Sequence, residues 1–267
     1  MALIGMAIYD VAENRRDQVT TRCLESLATT VDWSRHRCIL VVNAQTEATA
    51  DAIIKFLQFV GKSASVIYLP ENVGTAKAVN RAIRERHTGE FFVKMDNDVR
   101  FYREGWLDDM EAAMKADPTI GILGLKRSDL EQHPNHDEER FRSTLRFVPS
   151  CIEKGKPWIC VEETADVMGT CTMFSPQLLD KLGFMFQPGY YGYDDVLMCV
   201  RSNVAGFKNA FLPHIRIDHL DPVFDEGIPD HYAGWKSASA WSDGAEYNRL
   251  KEGYENGTIS IYSPETW

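Results

Sequence analysis

Apolar and polar positions along the first hundred residues switch between two periods. Leu3–Tyr9 is a short apolar run of the kind that fills a strand buried on both faces. Asp17–Thr29 carries Val19, Cys23, Leu24 and Leu27 at helical spacing. Cys38–Val42 is β-rich, and Thr49–Phe59 returns to the helical pattern with Ile53, Ile54, Phe56 and Leu57. Ser65–Leu69 forms a third strand, stopped by Pro70. Thr75–Arg86 predicts a helix with Ala76, Val79, Ala82 and Ile83 inward, and Phe91–Met95 a fourth strand. This βαβαβαβ order predicts a mainly parallel sheet flanked by helices on both faces. Ligands of such sheets bind beyond the carboxyl ends of the strands. Asp10, Asn43, Asn72 and Asp96 all fall just past strand ends.

The pattern changes beyond residue 100. Trp106–Lys115 predicts a helix and Ile120–Leu125 a strand. Lys126–Arg146 is charged and rich in His, Asn and Pro, and predicts an excursion: a mobile loop or a small hairpin. His133 and His136 lie in it, at a spacing open to a metal but more often found in a solvated loop. Val161–Phe174 predicts strand, bend and strand; Pro176–Leu182 predicts a short helix ended by Gly183. Asp194–Val204 predicts a helix whose first turn holds Asp194 and Asp195, where negative charge suits the dipole. Phe207–Leu212 and Ile215–His219 read as two short strands. In the tail, 222–267, Trp235, Trp241 and Tyr247 are six apart and fit a helix only loosely. Packing back over the core, a lid and a homo-oligomer contact are all open for it.

Composition narrows the function classes. A formal net charge of −10 argues against non-specific grip on nucleic acid, which relies on Lys and Arg at phosphates. The six cysteines include no C-x-x-C pair, so a zinc knuckle is not expected. Met1–Ile8 is apolar without a basic flank, and predicts a first strand in place of a signal peptide. No apolar stretch approaches the roughly 20 residues that cross a bilayer, so stable membrane insertion is not expected. The expected compartment is a reducing cytoplasm with free thiols. Asn256-Gly257-Thr258 is read as a turn.

The candidate chemistry sits in three acidic clusters. Asp96-Asn97-Asp98 closes the fourth strand, Asp194-Asp195 follows Tyr190-Tyr191-Gly192-Tyr193, and His219 is flanked by Asp218 and Asp221. A D-x-D at a strand end can hold a hard divalent cation against a diphosphate, because such ions take one or two carboxylates plus substrate phosphates. A second acidic pair can then act as general base. A bare turn, a plain helix cap and a satisfied histidine are the bland alternatives for the three clusters.

Three stretches together resemble the family 2 glycosyltransferases of GT-A fold, over most of residues 3–221. Asn72-Val73-Gly74-Thr75-Ala76-Lys77-Ala78-Val79-Asn80-Arg81-Ala82 is similar to the family's N-x-G segment. Gly89-Glu90-Phe91-Phe92-Val93-Lys94-Met95-Asp96-Asn97-Asp98 is similar to its G-E-Y-I-x-x-L-D-x-D block. Asp194-Asp195-Val196-Leu197-Met198-Cys199-Val200-Arg201, trailed by Ala205-Gly206-Phe207, is similar to E-D-V-D-L-C-x-R. Pro213 stands six residues before His219, as the family's P-x-x-x-x-x-H ending has it.

The resemblance implies inverting transfer of one sugar from a nucleotide-diphosphate sugar, UDP by family frequency, with Mn2+ or Mg2+. It implies Asp98 and His219 as metal ligands. Asp96 would contact the ribose and reach the metal through water. Asp195 would be the base, with Asp194 orienting it or the acceptor. Tyr9, Asp10, Asn43, Asn72, Gly74, Lys77 and Asn97 fall on the donor side. Residues 1–100 would then be a nucleotide-binding half and 101–221 an acceptor half. The first loop departs from P-T-Y-N-R, and Asn43-Ala44-Gln45-Thr46-Glu47 departs from D-N-x-S-x-D, which opens the identity of the nucleobase. Asp194 stands for Glu, and Leu197 for the second Asp, in the third block. The processive Q-x-x-R-W motif is absent, favouring single transfer. The acceptor hydroxyl could belong to a glycan, a lipid-linked sugar, a protein or a modified nucleic-acid base.

Two other functions compete. A sugar-nucleotide nucleotidyltransferase needs a Gly-rich first loop, and Asp10–Arg15 has no glycine. A non-catalytic binding module would have shed its base or metal residues. A dinucleotide enzyme is disfavoured without G-x-G-x-x-G after the first strand.

Overall fold

The computed structural model describes residues 1–14, 16–130, 142–149, 158–220, 234, 238 and 243–264. Four parallel strands form one half of the sheet: β1 (Ala2–Tyr9), β2 (Arg37–Ala44), β3 (Ala64–Tyr68) and β4 (Phe91–Met95). Helices α1 (Asp17–Thr30), α2 (Glu47–Val60) and α3 (Thr75–Arg84) join them. β5 (Val99–Arg100), α4 (Trp106–Ala116), β6 (Ile120–Arg127), β7 (Ser143–Pro149), β8 (Trp158–Thr164) and β9 (Cys171–Phe174) come next. The described chain ends with α5 (Pro176–Leu182), α6 (Asp194–Val204), β10 (Lys208–His219) and α7 (Gly244–Glu255). The sheet order is β3-β2-β1-β4-β9-β6-β10-β8-β7, with β5 paired to β10.

Alternation in the buried strands splits the core into two faces. Ala2, Ile4, Met6 and Ile8 join Cys38, Leu40 and Val42 beneath α1, α2 and α4. Leu3, Ile39 and Val41 join α3, α5 and α6 on the opposite face. Gly5 is glycine for a packing reason: a Cβ there would lie 2.4 Å from Phe92 Cζ and 2.8 Å from Ala82 Cβ. Trp106 is fully buried, stacks on Phe101 at 4.2 Å, and donates from Nε1 to Thr30 Oγ1. α2 begins two residues before the predicted start because the Thr46 hydroxyl accepts from the Thr49 amide and caps the helix.

Three expectations change. Phe207–Leu212 and Ile215–His219 are one strand, β10, with an irregularity: Leu212 pairs with Leu125 and Arg216 with Lys126, so residues 213–215 form a bulge. Pro213 has no amide to give the ladder, and a bulge re-aims the remainder of its strand. The re-aimed end pairs with β5, which periodicity does not reveal, with Val99 opposite His219 and Arg100 opposite Asp218. In the Lys126–Arg146 excursion, Lys126 and Arg127 finish β6, and Ser143–Pro149 makes an antiparallel hairpin with β8. His133 and His136 lie outside the described residues, as do Asp221, Trp235 and Trp241.

In the tail, α7 packs on α6, with Leu250 and Tyr254 buried against Leu197 and Val200. Arg201 of α6, wholly buried, holds the end of the chain. Its guanidinium donates to the carbonyls of Ile261 at 2.7 Å, Phe184 at 2.9 Å and Leu182. Burial pulls this side chain down to about 10, since the charged form loses water there. Asn256 is a turn: its Oδ1 accepts from the Thr258 amide and hydroxyl, and Gly257 adopts φ 75°.

Candidate active site

The D-x-D leaves the carboxyl end of β4, and β10 brings His219 back beside it. Asp98 Oδ2 lies 3.2 Å from His219 Nε2. Both side chains are largely shielded from water, and Leu220 donates its amide to the Asp98 carbonyl. A carboxylate oxygen and an imidazole nitrogen that converge in this way suit a divalent ion such as manganese. The same Asp98 oxygen also accepts from Nη2 of Arg16, a buried residue at the start of α1. Asn14 sets that loop: it donates to the Tyr9 carbonyl and accepts from the amides of Val11 and Arg16.

Asp96 faces a different cation. Lys94, a lone charge in an otherwise apolar strand, donates to Asp96 Oδ1 at 2.6 Å and to the Gly169 carbonyl at 2.7 Å. Its ammonium also stands 3.7 Å from Asp194 Oδ2. Burial alone would lower Lys94, but the carboxylates of Asp96 and Asp194 outweigh it and hold the ammonium well above the ordinary lysine range. Burial pushes Asp194 up to about 6; Lys94 pulls the other way, and Asp195 and Asp96 add to the rise. Asp195 is less buried, and its Oδ2 accepts from the Gly169 amide at 2.9 Å. One residue's backbone, at Gly169, therefore touches both Lys94 and Asp195. A Cβ on Gly169 would sit 2.8 Å from Asp195 Cβ and 3.0 Å from Lys94 Nζ.

The residues expected on the donor side mostly bond to one another. Asp10 is wholly buried; it accepts from Thr49 Oγ1 at 2.8 Å and from Asn97 Nδ2 at 3.1 Å. Asn97 also donates to Thr20 Oγ1. Burial pushes the Asp10 carboxyl up, and hydrogen bonds from Thr20 and Thr49 oppose it. Asn43 accepts from the Val73 amide, Asn72 accepts from the Gly74 amide, and Gly74 begins α3 at φ 85°. Gly74 also passes close to Tyr190, whose Cα would be 3.1 Å from a Cβ there. Tyr9 is half-buried and Lys77 exposed.

Sequence reasoning passes over Arg16, Lys94, Gly169, Asn80 and Gln187. Asn80 exchanges two hydrogen bonds of 2.9 Å with the backbone of Met185. Gln187 accepts from the Ala76 amide and donates to the Gly192 carbonyl, so the 187–193 loop is laid across the start of α3. Two of them carry a signal: Lys94 as a charge inside a buried strand, and Asn80 as part of the stretch that resembles the N-x-G segment.

That loop carries the aromatic residues. Tyr190 is 60% exposed, and Tyr193 stacks on Tyr247 of α7 at 4.6 Å. Tyr193, immediately before Asp194, has φ 65°, and it is the one non-glycine residue with positive φ among the described residues. Strain of this kind, of order 1–3 kcal/mol, concentrates at functional sites.

Asp96, Asp98 and His219 do not close into a compact three-ligand set among the described residues. The described set that does, within 4.8 Å, is His36, Asp108 and Glu111, at the amino end of the sheet. Its lone pairs are taken: Ala2 donates to His36 Nδ1, Arg35 pairs with Asp108 and Glu111, and Met1 and Lys115 pair with Glu111. No described helix is long and apolar enough to cross a membrane.

Known proteins share this fold. The structure is similar to mannosyltransferase PcManGT from Pyrobaculum calidifontis, in complex with GDP-Man and Mn2+, at TM-score 0.64 and 17% identity over 97% of this chain and 70% of that one. It is similar to GalNAc-T7 with UDP, GalNAc and Mn2+, at TM-score 0.59 and 11% identity over 82% of this chain and 43% of that one. It is also similar to S. aureus TarS 1–349 in complex with UDP-GlcNAc, at TM-score 0.56 and 17% identity over 81% and 56%. At such identities the likeness shows a shared GT-A-like fold. No curated protein sequence matches. The family model described as glycosyl transferase family 2 matches residues 11–183, which hold both the D-x-D and the N-x-G segment. With most of the chain matched and the fold in agreement, this protein belongs to glycosyl transferase family 2 and is a glycosyltransferase.

Proposed function

We propose that the chain moves one sugar, with inversion, from a nucleotide-diphosphate sugar to an acceptor hydroxyl. UDP is the default donor nucleotide. The observation that carries this reading is the convergence of Asp98 and His219 at 3.2 Å, produced by pairing β10 with β5. Asp98 and His219 would hold a divalent ion, Mn2+ or Mg2+, which when bound supplies positive charge to the leaving diphosphate. Asp96 stays on Lys94 and lines the ribose side. Asn43 and Asn72 shape the loop before α3, and Gly74 lets the backbone approach closely. Asp10 and Asn97 brace the donor side through their mutual hydrogen bond.

Asp195 is the general base of this proposal. Its Gly169 contact fixes one oxygen, and it is more open to an acceptor than Asp194. Asp194 orients it from behind, through Lys94. Tyr190 presents a face on which the acceptor can stack. The test is incubation with a panel of nucleotide sugars and manganese. Slow metal-dependent release of the nucleoside diphosphate supports the proposal. Release of pyrophosphate would point to a nucleotidyltransferase, and binding without turnover to a non-catalytic module.

A further inference from the structure

We infer that Arg16 is a resident counter-cation of the D-x-D, seated on Asp98 in the metal-free protein and displaced from it by the divalent ion. The inference rests on the metal site proposed above and adds a residue that the motif does not contain. Three observations carry it. First, each carboxylate of the D-x-D already has a protein cation: Lys94 on Asp96 and Arg16 on Asp98. Second, the oxygen that Arg16 takes is Oδ2, the same atom that faces His219 Nε2 at 3.2 Å. An ion bridging Asp98 Oδ2 and His219 would approach that oxygen, where a second cation at contact distance is strongly repelled.

Third, Arg16 is badly placed for helix stability. It is the residue at which α1 begins, where the helix dipole favours negative charge. It is also 3% exposed, so its charge is held away from water. At that position the buried guanidinium is compensated by Asp98, with Asp10 also acting on it electrostatically. The pair thereby keeps a buried carboxylate compensated while no ion is bound. The backbone of Arg16 is held by Asn14 and Thr20, which leaves the side chain as the part that moves in the exchange.

The experiment is a titration of Mn2+ alone, without nucleotide, followed by the electron paramagnetic resonance signal of the free ion. It compares the unmodified protein, Arg16→Gln, Arg16→Lys and Asp98→Asn. Arg16→Gln should bind Mn2+ more tightly, by on the order of tenfold. Arg16→Lys should fall between the two, because an ammonium makes a single point contact where guanidinium makes a fork. Asp98→Asn should lose the ion. If Arg16→Gln binds no more tightly while Asp98→Asn still loses the ion, the inference is overturned and the metal site stands. If Asp98→Asn binds Mn2+ as well as the unmodified protein, the metal site itself fails, and this inference with it. A measurement on the unmodified chain covers the case in which Arg16→Gln does not fold. The slowly exchanging side-chain 15N resonance of the buried arginine should shift on saturation with diamagnetic Mg2+, and an unmoved resonance would refute the displacement.

Discussion

Two regions of the candidate site are stabilised in opposite ways. At the ends of β1 to β4, the proposed donor side, polar side chains bond to one another: Asp10 to Thr49 and Asn97, Asp98 to Arg16, Asp96 to Lys94. Across from them, the stretch 182–193 is held by side chains that bond to its backbone. Arg201 grips three carbonyls, Asn80 grips Met185, and Gln187 bridges Ala76 to Gly192. The first scheme fixes charged groups before a ligand arrives, because a buried charge must be compensated at all times. The second fixes the backbone and leaves side chains such as Tyr190 to face outward. Under the proposed function, the first side would meet the donor diphosphate and the second would present a surface to the acceptor.

Breaking the charge pairing should have the largest effect. Asp98→Ala should abolish metal-dependent donor binding, as measured by calorimetry with UDP and manganese; unchanged affinity would dismiss the donor-side reading. Asp195→Asn sits at the border of the two sides. It should keep donor affinity and lower the transfer rate by about 10²–10⁴, the range for loss of a general base. Full activity there would remove Asp195 from the chemistry.

Loosening the backbone scheme tests the other side. Arg201→Met leaves buried carbonyls without a donor, and should cost about 3 kcal/mol or more in urea unfolding. Gly169→Ala should depress turnover more than stability, since its Cβ would push directly on Asp195 Cβ. A loss of stability with unchanged turnover would show that the Gly169 backbone does not position the base.

The smallest effect lies away from the candidate site. Burial lowers His36 below the ordinary histidine value, although Asp108 opposes it. The fold therefore prefers the neutral ring, and the unfolded chain protonates first as pH falls through about 6.5. Stability should be fully present above that pH and decline below it. His36→Gln should flatten this slope between pH 8 and pH 5 in denaturant titrations.

Much of the fold is legible in the chain. Buried strands such as Leu3–Tyr9 and amphipathic helices such as Asp17–Thr30 announce themselves, because side-chain burial imposes periods of two and 3.6 on local sequence. β5 does not, since two residues carry no period, and β10 reads as two strands because Pro213 interrupts it. The helix near the end of the chain, α7, is hidden as well: Leu250 and Tyr254 mark its buried side, but they are only four apart in a polar sequence.

The sequence by itself determined the doubly covered sheet and the acidic residues at its strand ends, because both are written in nearest-neighbour pattern. Tertiary structure decided which of those acids meet. Asp98 finds His219 through a two-residue strand and a bulge, and Arg16 finds its carboxylate across loops. Lys94 joins Asp96 to Asp194, a residue a hundred positions away. Such pairings depend on backbone direction in space, and no local period encodes that direction.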